Sequence, residues 1–222
     1  MFIVLNYLQK MRIIHRDLKP ENLMIETNGY LKVIDFGIAK DLSGKDSTHT
    51  LIGTPHYMAP EIILGKRYSF AADYWSVGII LYELFYGKIP FGINVVDSNK
   101  VFAEITEKKL AFPSDPKNND CNLLIKTLLY KNPNKRIRSF AQVKSHVFFK
   151  DLDFEELSEK RMKPLYCPEK KINEKDLENT TDSFYSTVIN NLFTSSIEVN
   201  SVAEKLSREM SSKSNNDYLS DF

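Results

Sequence analysis

His15-Arg16-Asp17-Leu18-Lys19-Pro20-Glu21-Asn22 decides how the rest of this 222-residue chain is read. In one short span it brings together a carboxylate (Asp17), a cation two residues on (Lys19) and a neutral oxygen donor (Asn22). Downstream, Asp35-Phe36-Gly37 and Ala59-Pro60-Glu61 follow in that order. Upstream lie only fourteen residues, in which Phe2, Leu5 and Leu8 recur at helical spacing. The chain therefore opens in what reads as the final turns of an amphipathic helix. With no cap residue before it, that opening is expected of a sequence cut from a longer one.

Composition bounds the function classes. Apolar residues make up 42% and charged residues 27%, ordinary for a soluble globular protein. A net charge of +1 gives no electrostatic footprint for nucleic acid or an anionic membrane, so neither is an expected partner. Cys121 and Cys167 stand too far apart in sequence for a disulfide framework or a zinc ligand set, which suits a reducing, cytoplasmic compartment. The apolar start lacks a basic leader and a small-residue cleavage site. The run Val77-Gly78-Ile79-Ile80-Leu81-Tyr82 is too short to span a bilayer and is followed by Glu83, so it reads as a buried helix.

Periodicity organises the remainder. Residues 23–26 and 31–34 are short apolar segments around Asn28-Gly29, a hairpin signal. Residues 40–55 are polar and aperiodic and are expected to form a loop. Residues 73–85 form an almost wholly apolar helix, which implies burial on all sides. Further helices are expected near 99–108, 120–130 and 140–146. After Phe149 the composition shifts, and residues 173–222 are rich in Ser, Asn and acidic side chains that cannot easily bury enough apolar surface to fold alone. Val199, Val202, Leu206 and Met210 are spaced for one face of a short helix there. The expected division is a folded unit over 1–149 and a largely flexible tail over 150–222.

The three motifs, in this order and register, resemble the signature of protein kinases: H-R-D-L-x-x-x-N, D-F-G and A-P-E. The resemblance implies a protein kinase-like α+β fold, here only its mainly helical C-terminal (large) lobe with short β-hairpins. The small N-terminal lobe is expected to be missing from this stretch, since nothing before His15 supplies a G-x-G-x-x-G loop, a V-A-I-K lysine or its helix glutamate. It also implies Mg²⁺ as cofactor and ATP as co-substrate. Asp17 then accepts the proton of the substrate hydroxyl, and Lys19 sets a cation where the transferred phosphoryl group sits, as is typical of Ser/Thr enzymes. Asn22 and Asp35 supply oxygens to the metal. Gly37 allows the turn behind Asp35, and Phe36 packs inward.

The same resemblance assigns switch and recognition residues. Thr50 stands where an activation-loop phosphate is expected from an upstream kinase, and Arg16 is the guanidinium expected to dock it. Ser43, Ser47 and Thr48 are expected to be solvated. Thr54 is expected to contact the catalytic loop and the substrate hydroxyl. Glu61 and Arg136 match a buried salt bridge, and Asp73 is expected to accept backbone N–H groups of the catalytic loop.

Gly53-Thr54-Pro55-His56-Tyr57-Met58-Ala59-Pro60-Glu61-Ile62-Ile63-Leu64 and Ala72-Asp73-Tyr74-Trp75-Ser76 resemble the cyclic-nucleotide-dependent branch of the AGC kinases, nearest the cGMP-dependent protein kinases. Members of that branch act on protein substrates with basic residues near the phospho-acceptor, and Glu21 and Glu83 stand at the positions that read them. His56 departs from the family's usual Glu. Ser145-His146-Val147-Phe148-Phe149 and the residues up to Pro168 resemble the start of an AGC tail, and Leu219-Ser220-Asp221-Phe222 resembles its terminal F-x-x-F motif.

The expected function is Ser/Thr phosphoryl transfer, with little activity from this chain alone. The alternatives are a non-catalytic binding module derived from a kinase, or a half-kinase complemented by a separate small lobe. A calcium/calmodulin-regulated kinase is disfavoured, since no basic amphipathic helix follows His146.

Overall fold

The computed structural model describes residues 1–113 and 119–168. Helix α1 (Phe2–Lys10) leads into the two-residue strand β1 (Ile13–Ile14). A hairpin of β2 (Leu23–Ile25) and β3 (Leu31–Val33) follows, then β4 (Lys40–Asp41). The rest is helical: α2 (Pro60–Ile63), α3 (Ala71–Tyr86), α4 (Ser98–Glu107), α5 (Asn119–Leu128), α6 (Phe140–Lys144) and α7 (Phe154–Ser158). The architecture is mostly helical with short antiparallel strand pairs, the arrangement expected from the sequence. Among the described residues, no helix is long and apolar enough to cross a membrane.

The hairpin forms where Asn28-Gly29 predicts it. Its register pairs Leu23 with Val33, Met24 with Lys32 and Ile25 with Leu31. Gly29 takes φ +83°, a left-handed conformation in which a Cβ is strained. The stretch 40–55 is not wholly a loop. Lys40 and Asp41 pair with Ile14 and Ile13, and Thr48 forms a backbone bridge with Tyr68. Leu42 is fully buried and donates its N–H to the Arg12 carbonyl at 2.7 Å. Thr48 is likewise buried, contrary to the expectation of a solvated hydroxyl. A strand of two residues is too short to show period-two alternation, so no pattern marks it in advance.

Helix α3 is the core axis. From Ala72 to Ile80 it is buried on all faces, and only its last turn, at Leu84 and Phe85, reaches solvent. Trp75 stacks on Phe91 at 5.9 Å. At Gly78 a Cβ would lie 2.8 Å from Leu129 Cδ2 and 2.9 Å from Leu128 Cβ, so the missing side chain is what lets α5 approach. On the other side, α1 buries Phe2, Leu5 and Leu8, with Phe2 against Tyr74 and Phe149.

Packing continues past Phe149. Phe154 meets Phe140 and Phe149 edge-on at 5.2 and 5.4 Å. The following strap, residues 160–166, lies over the β2–β3 turn. There Tyr30 Oη donates to the Met162 carbonyl at 2.6 Å, and Lys160 pairs with Glu26 at 3.5 Å. A Cβ on Gly29 would meet the Tyr166 carbonyl at 2.4 Å and Pro164 Cβ at 2.5 Å. The expected helix face at Val199–Met210 and the terminal Leu219–Phe222 motif lie outside the described residues.

Candidate active site

The site is built where β1 ends and the β2–β3 hairpin begins. Asp73, near the start of α3, fixes the loop from below. Its two carboxylate oxygens accept the backbone N–H of His15 and of Arg16, each at 2.9 Å. Burial pushes the Asp73 carboxyl above its ordinary value, opposed by His15 and by the two N–H donors. Arg16 sits at φ +73°, a strained conformation for a residue with a side chain, and the Asp73 bonds hold the bend.

The bend presents Asp17. Its Oδ1 accepts the Thr54 hydroxyl at 2.6 Å and the Thr54 N–H at 3.1 Å. Its Oδ2 lies 2.9 Å from Lys19 Nζ and accepts from Asn22 Nδ2 at 3.2 Å. Lys19 Nζ also donates to Thr54 Oγ1 at 2.9 Å, closing a triangle of acid, cation and hydroxyl. Partial burial raises the Asp17 carboxyl, but Lys19 and Thr54 outweigh it and hold the group below its ordinary value. Asp17 is therefore ionised and able to receive a proton.

Asn22 also donates to the Asp17 carbonyl at 2.8 Å, which turns its own amide oxygen the other way. The hairpin ladder then brings in Asp35. Ile34 donates its N–H to the Asn22 carbonyl at 3.0 Å, so Asp35 emerges one residue beyond a paired position. Asp35 is exposed, adopts φ +61° and accepts the Gly37 N–H at 3.0 Å. An uncommitted amide oxygen and an exposed carboxylate on adjacent strand ends suit a hard cation. Among the described residues no group of three His, Cys, Asp or Glu could hold a metal ion. Phe36 packs inward as expected, edge-on to His15 at 4.9 Å.

His15 is a residue the sequence reading passed over. Fully buried, it accepts the Asp17 N–H at Nδ1 (3.3 Å), and its Nε2 faces the Ile34 carbonyl at 3.2 Å. Through these two contacts the ring splints the Asp17 loop to the Asp35 strand. An imidazole placed directly after Ile13-Ile14 was the available signal.

Arg16 and Thr50 are brought near but not together. The Arg16 guanidinium donates from Nε to the Ile38 carbonyl at 2.5 Å and reaches the Ala39 carbonyl. Tyr68 stands between: its hydroxyl neighbours Arg16 and donates to the Thr50 carbonyl at 2.7 Å. Glu83 accepts the Tyr57 hydroxyl at 2.8 Å. Burial, Glu83 and Glu21 in turn raise the Tyr57 phenol, so both acids act on one ring. Glu61 and Arg136 form a buried two-point pair at 2.7 and 2.9 Å, well below the site.

Comparison with known proteins adds to this geometry. The family model for the protein kinase domain matches residues 1–149. The chain is 41% identical over 180 residues to a cGMP-dependent protein kinase of Eimeria tenella, covering 79% of this chain and 18% of that protein. It is 40% identical over 183 residues to the cGMP-dependent protein kinase of Toxoplasma gondii, covering 81% and 18%. The serine/threonine-protein kinase AtPK1/AtPK6 of Arabidopsis thaliana is 37% identical over 168 residues, covering 74% and 35%. The match thus spans about a fifth of the length of the first two relatives.

Proposed function

The chain belongs to the protein kinase family, and we propose that it forms the catalytic large-lobe part of a Ser/Thr kinase that moves the ATP γ-phosphate to protein hydroxyls. The observation that carries this reading is the Asp17–Lys19–Thr54 triangle beside the paired oxygens of Asn22 and Asp35. Asp17, held ionised, receives the proton as the substrate hydroxyl attacks. Lys19, anchored between Asp17 and Thr54, offers its charge to the group in transit. Thr54 keeps the carboxylate oriented and marks the level at which the acceptor hydroxyl enters. Magnesium, held with the ATP phosphates by Asn22 and Asp35, would supply neutralisation of phosphate charge when bound.

Glu21 and Glu83, flanking Tyr57, form the acidic surface that favours basic residues near the acceptor. His56 beside them replaces a family acid and narrows that preference. Phosphate on Thr50, placed there by an upstream kinase, is drawn to Arg16 across Tyr68 and orders the segment. Two cysteines without a disulfide suit a cytoplasmic setting. Alone, the chain lacks a phosphate-covering loop and its lysine, and is expected to transfer phosphate negligibly.

The test is phosphoryl transfer from ATP to Ser peptides with and without upstream Arg or Lys, using the native protein. Asp17→Asn is expected to lower kcat by about 10²–10⁴-fold. An Asp17→Asn protein as active as wild type would overturn the assignment.

A further inference from the structure

A cavity of about 230 Å³ opens between the segment before Thr50, the entrance to α3 and the loop that carries Arg138. It has room for several waters, at about 30 Å³ each in the liquid, and so for a phosphate group. Its wall holds two guanidinium side chains, Arg67 and Arg138, and one carboxylate, Glu61. Glu61 is committed, since both of its oxygens are bound by Arg136. Arg138 donates to the neutral amide oxygen of Asn134 at 3.0 Å. Among the described residues Arg67 has no hydrogen bond or ion pair. Two cations therefore share one wall with no anion of their own.

Ser47 lines the same cavity. The backbone on both sides of it is fixed. Arg12 Nη2 holds the Lys45 carbonyl at 2.7 Å, and Thr48 exchanges backbone hydrogen bonds with Tyr68 at 2.9 and 2.8 Å. The Ser47 hydroxyl, partly exposed, thus sits between two anchored points beside an unneutralised positive wall.

We propose that Ser47 is a phosphorylation site, separate from Thr50, whose phosphate is received by Arg67 and Arg138. The donor is ATP in the active site of a protein kinase. A bond forms between Ser47 Oγ and the γ-phosphorus, the bridging γ-phosphorus–oxygen bond breaks, ADP leaves, and the hydroxyl proton passes to that kinase's base. The product carries close to two negative charges and three acceptor oxygens, which match two forked guanidinium groups. It ties the segment around Ser47 to the start of α3 and to the Arg138 loop. None of this depends on whether the chain itself transfers phosphate.

The first measurement is fragmentation mass spectrometry of tryptic peptide 46–66 from the protein isolated from its own cells, which separates Ser47 from Thr48, Thr50 and Thr54. Phosphate on Ser47 is expected; its absence while Thr50 is modified would overturn the proposal. The second uses the full chain carrying phosphoserine at position 47, followed by ³¹P NMR. The second phosphate pKa, ordinarily about 6, is expected to fall in the parent chain and to return in the R67A/R138A double variant. Phosphatase release is expected to be on the order of tenfold slower in the parent. Equal pKa and equal release in both backgrounds would refute the contact. A third arm titrates inorganic phosphate against the S47A chain: saturable binding there, with Ser47 unmodified in cells, would assign the cavity to a free anion and overturn the modification.

Discussion

Glu61 and Arg136, 75 residues apart in sequence, meet as a two-point ion pair from which water is excluded. All five N–H groups of Arg136 have acceptors: the two Glu61 oxygens, the Ala71 carbonyl, and the Tyr130 carbonyl twice. The guanidinium also lies 5.1 Å from the Trp75 ring centre. Arg136 thus joins α2, the start of α3 and the end of α5 at one point. Arg136→Ala is expected to destabilise the fold by about 3–5 kcal/mol, because it strands a buried carboxylate. Lysine cannot reproduce the fork, so Arg136→Lys should recover less than half of that. Urea denaturation of the three proteins checks both.

Asp17 makes stability depend on acid. Its carboxyl is held below the ordinary 3.8 in the folded state, so the unfolded chain binds the extra proton first. The contribution is whole above pH 3.8 and is lost as pH falls through the lowered folded value. Wild type should therefore lose stability in that window more steeply than Asp17→Asn, read as denaturation midpoints from pH 5 to pH 2.5. Parallel curves would mean that the Lys19 and Thr54 contacts do not bias Asp17.

Gly78→Ala sets two effects against each other. Alanine gains about 1 kcal/mol of helix propensity over glycine. The new methyl, however, falls 2.8 Å from Leu129 and 2.9 Å from Leu128, and overpacking of this kind costs about 1–3 kcal/mol. The balance should be destabilising, with a lowered thermal midpoint; a raised one would show that α5 yields freely.

Introduced into the native protein, Glu83→Gln should weaken use of a basic Ser peptide through KM with kcat little changed, while leaving a neutral peptide unaffected. Tyr57→Phe, which removes only the hydroxyl held by Glu83, is expected to act in the same direction and less strongly. A uniform fall in kcat for both peptides would point instead to disturbance of the Thr54 segment.

Much of this was legible in the sequence, and the reasons differ by element. Asp17, Lys19, Asn22 and Asp35 lie in compact motifs whose spacing is fixed by one loop and one hairpin, so reading them needed no tertiary information. Helix α3 announced itself by a long apolar run, and Asn28-Gly29 by its turn chemistry. Strand β4 and the buried Thr48 did not, because two-residue pairings carry no period and their partners, Ile13, Ile14 and Tyr68, are distant in sequence. Tyr68 was missed for the same reason: its value lies in standing between Arg16 and Thr50, which only the folded chain reveals. The strap over Gly29 was equally hidden, since glycine at a turn is already explained by φ alone.

That strap gives the turn a second constraint. Asn22 and Asp35 sit at the two feet of one ladder, so the gap between them follows from strand register and is indifferent to how many residues form the bend. A bend free of neighbours would tolerate insertions without moving either oxygen. Here the contacts of Tyr30 with Met162 and of Gly29 with Pro164 and Tyr166 act as a gauge that accepts one loop length and one side-chain size. Lengthening the bend would leave Asn22 and Asp35 in place and evict the strap, making this hairpin a place where attachment of residues 160–166 can be altered without moving either side chain.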